Sequence, residues 1–171
     1  MKPFSDIQPF RDEFAVYSLP ASRAIGKEVR NGGALGNTAP ALWGETIQSG
    51  AMDALLALPQ LIPGATYGWT CDYDAPTDTF IYMVCVLASA GTPVPEGFAY
   101  RDIPETACAV GLYGENMDKT LDRVKESGFV TNWEPYGWNA ELYLPEEESN
   151  PPKPSDSPWH WLVPVRRAEE Q

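Results

Sequence analysis

The sequence predicts an α+β fold in which two strand-helix-strand-strand units form one pseudo-two-fold antiparallel sheet with helices on one face. Three segments that each occur twice in the chain support this prediction. They are a Tyr-Gly-Trp segment, a stretch rich in aromatic residues and valine, and a segment that begins with an apolar residue and proline and ends with an apolar residue and glycine. The matched pairs, in chain order, are 19–26 with 103–111, 67–73 with 136–143, and 80–86 with 159–165. Internal repetition of this kind indicates duplication, and two copies favour a closed domain over a solenoid.

The length of 171 residues favours a single domain. We therefore interpret residues 1–171 as one domain, with pseudo-repeats at about 13–90 and 97–167. Hydrophobic residues make up 43% and aromatic residues 12% of the chain, which is enough for a sizeable core.

The first unit begins with a strand pattern over 14–29. Pro20 interrupts it, because proline lacks the N–H that a strand ladder needs. A helix is expected to begin near Thr38, whose side chain suits the N-cap position, and Pro40 fits its first turn. Its apolar stripe is interrupted at Gly50.

Two strands, 66–73 and 79–88, complete the first unit, with a turn-rich segment between them. The stretch 90–97 contains two glycines and two prolines and is expected to connect the units. The second unit then opens with a strand over 98–113.

A helix over 117–127 follows, with Asn116 as its expected cap. The next strand covers 136–144. An acidic, proline-rich loop is expected over 146–158, and the last strand over 159–166.

Charge and composition exclude several classes of function. The net charge is −12, so the basic face that a nucleic-acid-binding protein needs is not expected. No apolar run approaches the ~20 residues that span a bilayer, and no signal peptide is recognisable. Three cysteines without Cys-x-x-Cys spacing favour a reducing compartment, so a cytoplasmic location is expected.

Glu141 is the main candidate for a binding residue, because it interrupts a run that otherwise resembles a buried strand. Side chains alternate along a strand, so Glu141 and Tyr143 share one face and Leu142 lies on the other. The face of Leu142 is expected under the helices, and the face of Glu141 lines a cavity or meets solvent. The alternative is that Glu141 is exposed or pairs with Arg101, since buried glutamate is rare without a partner.

Several aromatic residues are candidates for a ligand-binding wall, because aromatic faces attract cations. Tyr82 and Trp161 are the first choices, since the repeat matches them and both lie in central strands. Tyr67 and Trp43 are weaker candidates. Trp69 and Trp138 fall on the opposite parity from the acids and are expected in the core.

The remaining polar candidates predict no catalytic or metal site. Asp72 is the repeat equivalent of Glu141 but lies beside a turn, where aspartate is ordinary. His160 is the only histidine, so a zinc site is not expected, and no nucleophile elbow accompanies it. No phosphate loop or dinucleotide motif is present, so no cofactor is predicted.

The order of these motifs resembles the GyrI-like small-molecule-binding domain, the effector-binding module of AraC- and MerR-type regulators. The resemblance rests on the duplication, Leu-Pro followed by Ile-Gly, the Leu-Trp of the first helix and Ala140-Glu141-Leu142-Tyr143. It covers about residues 13–167 and is strongest to the stand-alone proteins carried on integron cassettes.

This resemblance implies a pocket between the halves that takes lipophilic, often cationic, compounds. It also implies that Glu141 is the pocket glutamate and Tyr143 its neighbour. The helix-turn-helix domain of the regulators has no counterpart here, so direct transcription control is not expected. Some stand-alone relatives hydrolyse strained cyclopropane-bearing compounds.

The sequence therefore predicts a protein that binds hydrophobic, cationic small molecules, with Glu141 as the counter-charge. A hydrolase that uses the same pocket is the alternative, with Glu141 activating water or Tyr143 donating a proton. A third possibility is an accessory subunit that presents the pocket to a separate regulator.

Overall fold

A curled ten-stranded sheet organises the computed structural model, which describes residues 1–9, 13–133, 137–149 and 159–169. The strands are β1 Lys2–Pro3, β2 Ala15–Leu19, β3 Ser22–Gly32, β4 Thr66–Asp74, β5 Thr79–Ser89, β6 Ala99–Ile103, β7 Thr106–Val110, β8 Phe129–Thr131, β9 Asn139–Tyr143 and β10 His160–Arg167. The α-helices among these residues are α1 Ala39–Gln48, α2 Ala51–Leu56, α3 Met117–Glu126 and α4 Pro145–Ser149. Short 3₁₀ turns cover Phe4–Asp6 and Gly33–Leu35.

The strand order confirms the predicted duplication. It runs β1-β2-β7-β10-β9-β4-β5-β3-β6, and β8 pairs with β10 beside this path. Without β1 and β8, the order reads the same from both edges, with β4 and β9 paired at the centre. Thr70 lies opposite Asn139 in this central pair, and the sequence repeat also relates these two positions. The pseudo-two-fold axis therefore passes between them.

Each half contributes one strand that pairs with a strand of the other half. β2 belongs to the first unit but pairs with β7 of the second, whereas β6 belongs to the second unit and pairs with β3 of the first. Pairing is antiparallel except between β1 and β2. The predicted single strand over 98–113 is therefore two strands, β6 and β7, because Pro104 separates them.

The sheet has two faces that bury different clusters. On the face that we call the core face, Met83, Cys85 and Leu142 lie in a large cluster with residues of other strands and of the N-terminal turn. On the opposite face, the helix face, Val84 and Val86 pack against α1 and α2. Helix α3 packs on this second face against Ala109, Val163 and Val165. The helices α1–α3 thus share one face, as predicted.

One expectation about these faces is wrong. Leu142 was expected under the helices, but it lies on the core face at 0% exposure. Glu141 lies on the helix face, because it pairs with Gly68, which in turn pairs with Val84. The alternation is therefore correct, and only the side that the helices cover was reversed.

The helix ends follow the turn residues of the sequence. Thr38 is the N-cap residue of α1, but its hydroxyl donates to the carbonyl of Arg30 instead of accepting a backbone N–H. Gly50 has a φ of 82° and separates α1 from α2, which matches the predicted interruption. Asn116 caps α3 as predicted, since its side chain accepts the N–H of Lys119 at 2.9 Å.

The region around and after Glu141 differs most from the prediction. The strand expected over 136–144 begins at Asn139, and Tyr136 lies outside the described residues. The loop expected from Glu146 begins instead as α4, and residues 150–158 lie outside the described part of the chain. None of the helices within the described ranges is long and apolar enough to cross a membrane.

Candidate functional site

Glu141 lies at the centre of the candidate site, on the helix face of β9. Strand β9 runs between β4 and β10, so Glu141 lies opposite Gly68 on one side and Trp161 on the other. Its strand belongs to the second half, whereas β4 belongs to the first. The carboxylate is therefore placed at the junction between the two halves.

A chain of hydrogen bonds orients the carboxylate of Glu141. The hydroxyl of Tyr82 donates to Oε2 at 3.1 Å, and the hydroxyl of Tyr143 donates to the same oxygen at 2.5 Å. The indole Nε1 of Trp43 donates to the Tyr82 hydroxyl at 2.8 Å. Residues from β5 and β9 thus donate to one carboxylate oxygen, and α1 orients the tyrosine of β5.

Burial raises the pKa of Glu141 above its ordinary value, and the two tyrosine hydrogen bonds oppose that rise. Burial also raises the pKa of Tyr82, and the nearby negative charge of Glu141 raises it further. Tyr82 therefore keeps its proton and remains a donor. No lysine, arginine or histidine in the described part of the chain forms an ion pair with Glu141.

A row of aromatic rings runs beside the carboxylate. The rings of Trp43 and Tyr143 meet edge to face, with centroids 5.1 Å apart. The Tyr143 ring lies 5.8 Å from that of Trp159, which lies 5.6 Å from that of Trp161. These contacts form a continuous aromatic wall from α1 to β10.

Gly68 forms the floor of the site. A Cβ atom on this residue would lie 2.1 Å from the Tyr82 hydroxyl and 2.6 Å from Oε2 of Glu141. Any side chain here would therefore push Tyr82 and Glu141 apart. Tyr82 reaches Glu141 across this glycine, although it belongs to a strand that is not next to β9.

The structure brings together five of the six predicted ligand-binding residues, which are Glu141, Tyr143, Tyr82, Trp161 and Trp43. It does not bring Tyr67 to them. Tyr67 lies on the core face at 1% exposure, because its position in β4 has the opposite parity to Gly68. Trp69 and Trp138 stack on the core face with centroids 4.3 Å apart, as predicted.

Tyr82 and Trp161 are not equivalent positions in the structure, although the repeat suggested this. Tyr82 lies opposite Thr70, whereas Trp161 lies opposite Glu141. The pseudo-two-fold axis relates Thr70 to Asn139, so the two aromatic residues differ by two positions along their strands. Both side chains still reach the helix face, because a shift of two preserves the parity.

Asp72, the repeat equivalent of Glu141, lies away from the site. The register of β4 shifts between Cys71 and Asp74, and Asp72 adopts a φ of 53°. Its side chain accepts hydrogen bonds from Arg101 and is 51% exposed. Arg101 also binds Glu28, so the alternative pairing of Arg101 with Glu141 does not occur.

Trp159 and Gly68 are site residues that the sequence analysis did not select. Trp159 lies two positions before Trp161, so their side chains share one face, which is also the face of Glu141 in the neighbouring strand. This alternation could have identified Trp159 from the sequence. Gly68 is part of the repeated Tyr-Gly-Trp segment. Its role depends on the pairing of β4 with β9, which periodicity does not specify.

A second polar cluster lies on the core face. His160 is 0% exposed, and its Nε2 lies 2.8 Å from Oε1 of Glu147 in α4. Its Nδ1 lies 2.8 Å from the carbonyl oxygen of Gly111. Each ring nitrogen lies within hydrogen-bond distance of an oxygen atom. A hydrogen bond between Nε2 and the Glu147 carboxylate therefore requires a proton on one of these two groups. Within the described ranges, no three histidine, cysteine or acidic residues converge as a metal site.

An open groove of about 610 Å³ lies apart from Glu141, between β3 and α1. Lys27, Glu28 and Glu45 are among its lining residues. It has acidic groups but lacks the tryptophan and tyrosine rings of the Glu141 site, and we therefore regard the latter as the functional candidate.

Three solved structures share this fold. SAV2435 bound to tetraphenylphosphonium is 12% identical with a TM-score of 0.60, covering 90% of this chain and 94% of that chain. A putative bacterial transcription regulation protein from Staphylococcus aureus is 12% identical with a TM-score of 0.54, covering 90% and 98%. The EcmrR C-terminal domain is 13% identical with a TM-score of 0.53, covering 91% and 98%.

At these identities the likeness shows the fold alone. No curated protein sequence matches the chain. A family model described as Cass2, integron-associated effector binding protein, matches residues 16–156. This match confirms the resemblance inferred from the repeated motifs, and the chain belongs to the family of integron-associated effector binding proteins.

Proposed function

We propose that this protein binds lipophilic, cationic small molecules at the junction of its two halves, with Glu141 as the counter-charge. The observation that carries the proposal is a half-buried carboxylate that accepts from two tyrosine hydroxyls beside a row of aromatic rings and has no cationic side chain paired with it among the described residues. The predicted cytoplasmic location and a separate regulator as partner remain part of the same proposal.

The electrostatics favour a cation over a neutral ligand. Removing a carboxylate from water is unfavourable unless an opposite charge or hydrogen bonds compensate, and here two tyrosines compensate in part. An organic cation would supply the missing charge. Tryptophan and tyrosine faces attract the same ligand, with ~0.5–2 kcal/mol from each favourable contact.

Apolar burial supplies most of the affinity in this proposal, at ~25 cal/mol per Å² removed from water. Trp43 and Tyr143 contact each other beside the carboxylate. In this proposal a bulky ligand separates these two rings when it binds against Glu141. Trp43 belongs to α1 and Tyr143 to β9, so binding would alter the contact between the two halves, which a partner protein could detect.

The likeness to SAV2435 supports the choice of ligand class, because that protein was solved with tetraphenylphosphonium, a lipophilic cation. Membership of the family of integron-associated effector binding proteins is consistent with an effector-binding role. At 12–13% identity these neighbours support the fold, and the cation preference rests on the geometry at Glu141.

The test compares two ions of similar shape and opposite charge, tetraphenylphosphonium and tetraphenylborate, by titration against the wild type and Glu141→Gln. We expect Glu141→Gln to weaken the phosphonium by about 10- to 100-fold, because a close charge pair in a partly buried site contributes a few kcal/mol. The borate should bind no more weakly to the variant than to the wild type.

Asp72→Asn is the matched control, because it removes one negative charge at the repeat-equivalent position outside the site. It should change phosphonium binding little. Equal weakening of both ions by Glu141→Gln, or equal effects of the two variants on the phosphonium, would overturn the charge argument.

A hydrolase remains the second candidate, and the close contact between Tyr143 and Glu141 favours it. A carboxylate that is hydrogen-bonded to a phenol can orient water and return a proton. Incubation with a strained cyclopropane-bearing electrophile would show product with the mass of one added water. Product formation that Glu141→Gln abolishes would support catalysis, and its absence across a panel would favour binding alone.

A further inference from the structure

Two indole N–H groups of the aromatic row near Glu141 are buried and have no hydrogen-bond partner among the residues that the structure describes. They are Nε1 of Trp159 and Nε1 of Trp161, and neither has an acceptor in the described part of the chain. The third indole of the site, that of Trp43, donates to the Tyr82 hydroxyl. The unpaired donors are therefore confined to the β10 side of the site.

Both unpaired groups belong to rings that lie near the carboxylate. Trp161 is the direct cross-strand neighbour of Glu141, and side chains in such pairs have Cβ atoms about 4.5–5.5 Å apart. Trp159 has the same parity, and its ring contacts both Tyr143 and Trp161. Neither position is on the core face. Both side chains lie on the helix face with Glu141.

An unpaired buried N–H is unfavourable, and most such groups in native proteins have a partner. The indole N–H is a donor only, so an acceptor atom is the one chemical group that can satisfy it. A ligand carboxylate would supply acceptors but would bring a second negative charge close to Glu141. A neutral carbonyl or ether oxygen satisfies the donors without that repulsion.

We infer that the ligands preferred by this site carry a neutral hydrogen-bond-accepting oxygen a few bonds from their positive centre, and that Trp159 or Trp161 donates to it. This inference rests on the proposed cation site at Glu141. It specifies a ligand class that is narrower than lipophilic cations, because cations without an acceptor leave both indole groups unpaired.

The test uses two phosphonium cations of nearly equal size, 4-acetylbenzyl-triphenylphosphonium and 4-isopropylbenzyl-triphenylphosphonium. Only the first has an acceptor oxygen. We expect the wild type to bind the acetyl compound about 5- to 10-fold more tightly, which corresponds to one net hydrogen bond. The measurement is isothermal titration of each cation.

The variants Trp159→Phe and Trp161→Phe each remove one of the two donors. In at least one of them, the two phosphonium cations should bind with nearly equal affinity. Trp138→Phe is the matched control, because Trp138 also has a buried Nε1 with no partner in the described ranges but lies on the core face. This control should keep the preference. Should a phenylalanine variant fail to fold, benzothienylalanine in place of the tryptophan removes the N–H and keeps the ring size.

Each outcome has one meaning. If neither phosphonium binds, the proposed cation site is wrong. If both bind the wild type equally, the cation site stands and the acceptor inference is overturned. A preference that survives loss of the N–H at both positions would also overturn it, since other donors would then be responsible.

Discussion

Glu141 lies directly opposite Gly68 in the central strand pair, and only a glycine at that position leaves room for the carboxylate to meet the Tyr82 hydroxyl. The first half of the chain supplies the glycine and the tyrosine, whereas the second half supplies the acid. The site thus depends on the pairing of the two halves, and the close approach at Gly68 makes it sensitive to a single methyl group.

Gly68→Ala should disrupt the site. The added methyl group would lie 2.1 Å from the Tyr82 hydroxyl and 2.6 Å from Glu141 Oε2, so both side chains must move. We expect overpacking to lower the free energy of unfolding by about 1–3 kcal/mol. Phosphonium affinity should fall at least about tenfold, since the hydrogen bonds that orient the carboxylate are lost. Denaturant unfolding and titration would measure the two effects.

Gly44→Ala is the control for that substitution. Gly44 lies within α1, and a Cβ atom there would meet no atom of the described residues within 4 Å. The change should raise the free energy of unfolding by up to about 1 kcal/mol, because alanine favours a helix over glycine. A Gly68→Ala protein that binds the phosphonium as well as Gly44→Ala does would show that the close approach is unimportant.

Cation binding should depend on pH through Glu141. Burial raises the pKa of this carboxyl, and only its ionised form attracts a cation. Affinity should therefore rise as the pH increases through the raised pKa and then level off. Glu141→Gln should give a flat profile. A wild-type profile that is equally flat, measured by titration between about pH 4 and pH 8, would contradict the assignment.

The same pKa shift affects the stability of the uncomplexed protein. The folded state holds the Glu141 proton more tightly than the unfolded chain does, so stability falls as pH rises from the ordinary carboxyl pKa through the raised one. Glu141→Gln should remove this contribution and should stabilise the protein near neutral pH. Thermal unfolding of both proteins across this pH range would detect the difference.

Tyr143→Phe should shift the pH profile of binding toward higher pH. The Tyr143 hydroxyl donates to Glu141 Oε2 and thereby lowers the pKa of the carboxyl against the effect of burial. Without this donor the carboxyl holds its proton to a higher pH, and affinity measured below the shifted midpoint should fall roughly 3- to 10-fold. A midpoint that moves down, or not at all, would contradict the role of this hydrogen bond.

Tyr67→Phe tests the assignment of faces. Tyr67 lies on the core face, and its buried hydroxyl has no partner in the described ranges. Removing that hydroxyl should leave phosphonium binding unchanged and should be neutral or stabilising by up to about 1 kcal/mol. A loss of affinity comparable to that of Tyr143→Phe would place Tyr67 at the site, as the sequence analysis expected.

The Glu147–His160 pair should contribute strongly to stability. Both side chains are almost fully buried, so Glu147→Ala leaves the Nε2 of His160 without its partner. We expect a loss of about 1–3 kcal/mol in the free energy of unfolding, because a buried polar group loses its hydrogen-bond partner. Asp102→Ala is the control, since it breaks a pair with Arg23 in which Asp102 is 63% exposed and should change stability little. Similar losses for both variants would contradict the difference that burial makes.

The sequence predicted the fold well because duplication is visible as repeated residues. The repeat places Tyr67-Gly68-Trp69 against Tyr136-Gly137-Trp138, and the structure pairs Thr70 with Asn139 as that alignment requires. The exchange of β2 and β6 between the halves was not predicted, because strand pairing depends on contacts far apart in the chain and periodicity reports only local structure.

Only part of the geometry around Glu141 could be predicted from the sequence. Alternation correctly grouped Glu141 with Tyr143 and separated them from Leu142, but it does not say which face the helices cover. The structure places Tyr67 on the core face, away from Glu141, because its parity within β4 is opposite to that of Gly68, the partner of Glu141 in β9. Gly68 was missed because a glycine becomes informative only when its cross-strand neighbours are known.

The most direct test of the account is a structure of the protein with tetraphenylphosphonium. We expect the phosphorus within about 6 Å of the Glu141 carboxylate, the range in which an opposite charge favours ionisation. Its phenyl rings should contact Trp43, Tyr143 and Trp161, with Trp43 and Tyr143 farther apart than 5.1 Å. A phosphonium seated in the groove between β3 and α1, with the rings at Glu141 unmoved, would contradict the account.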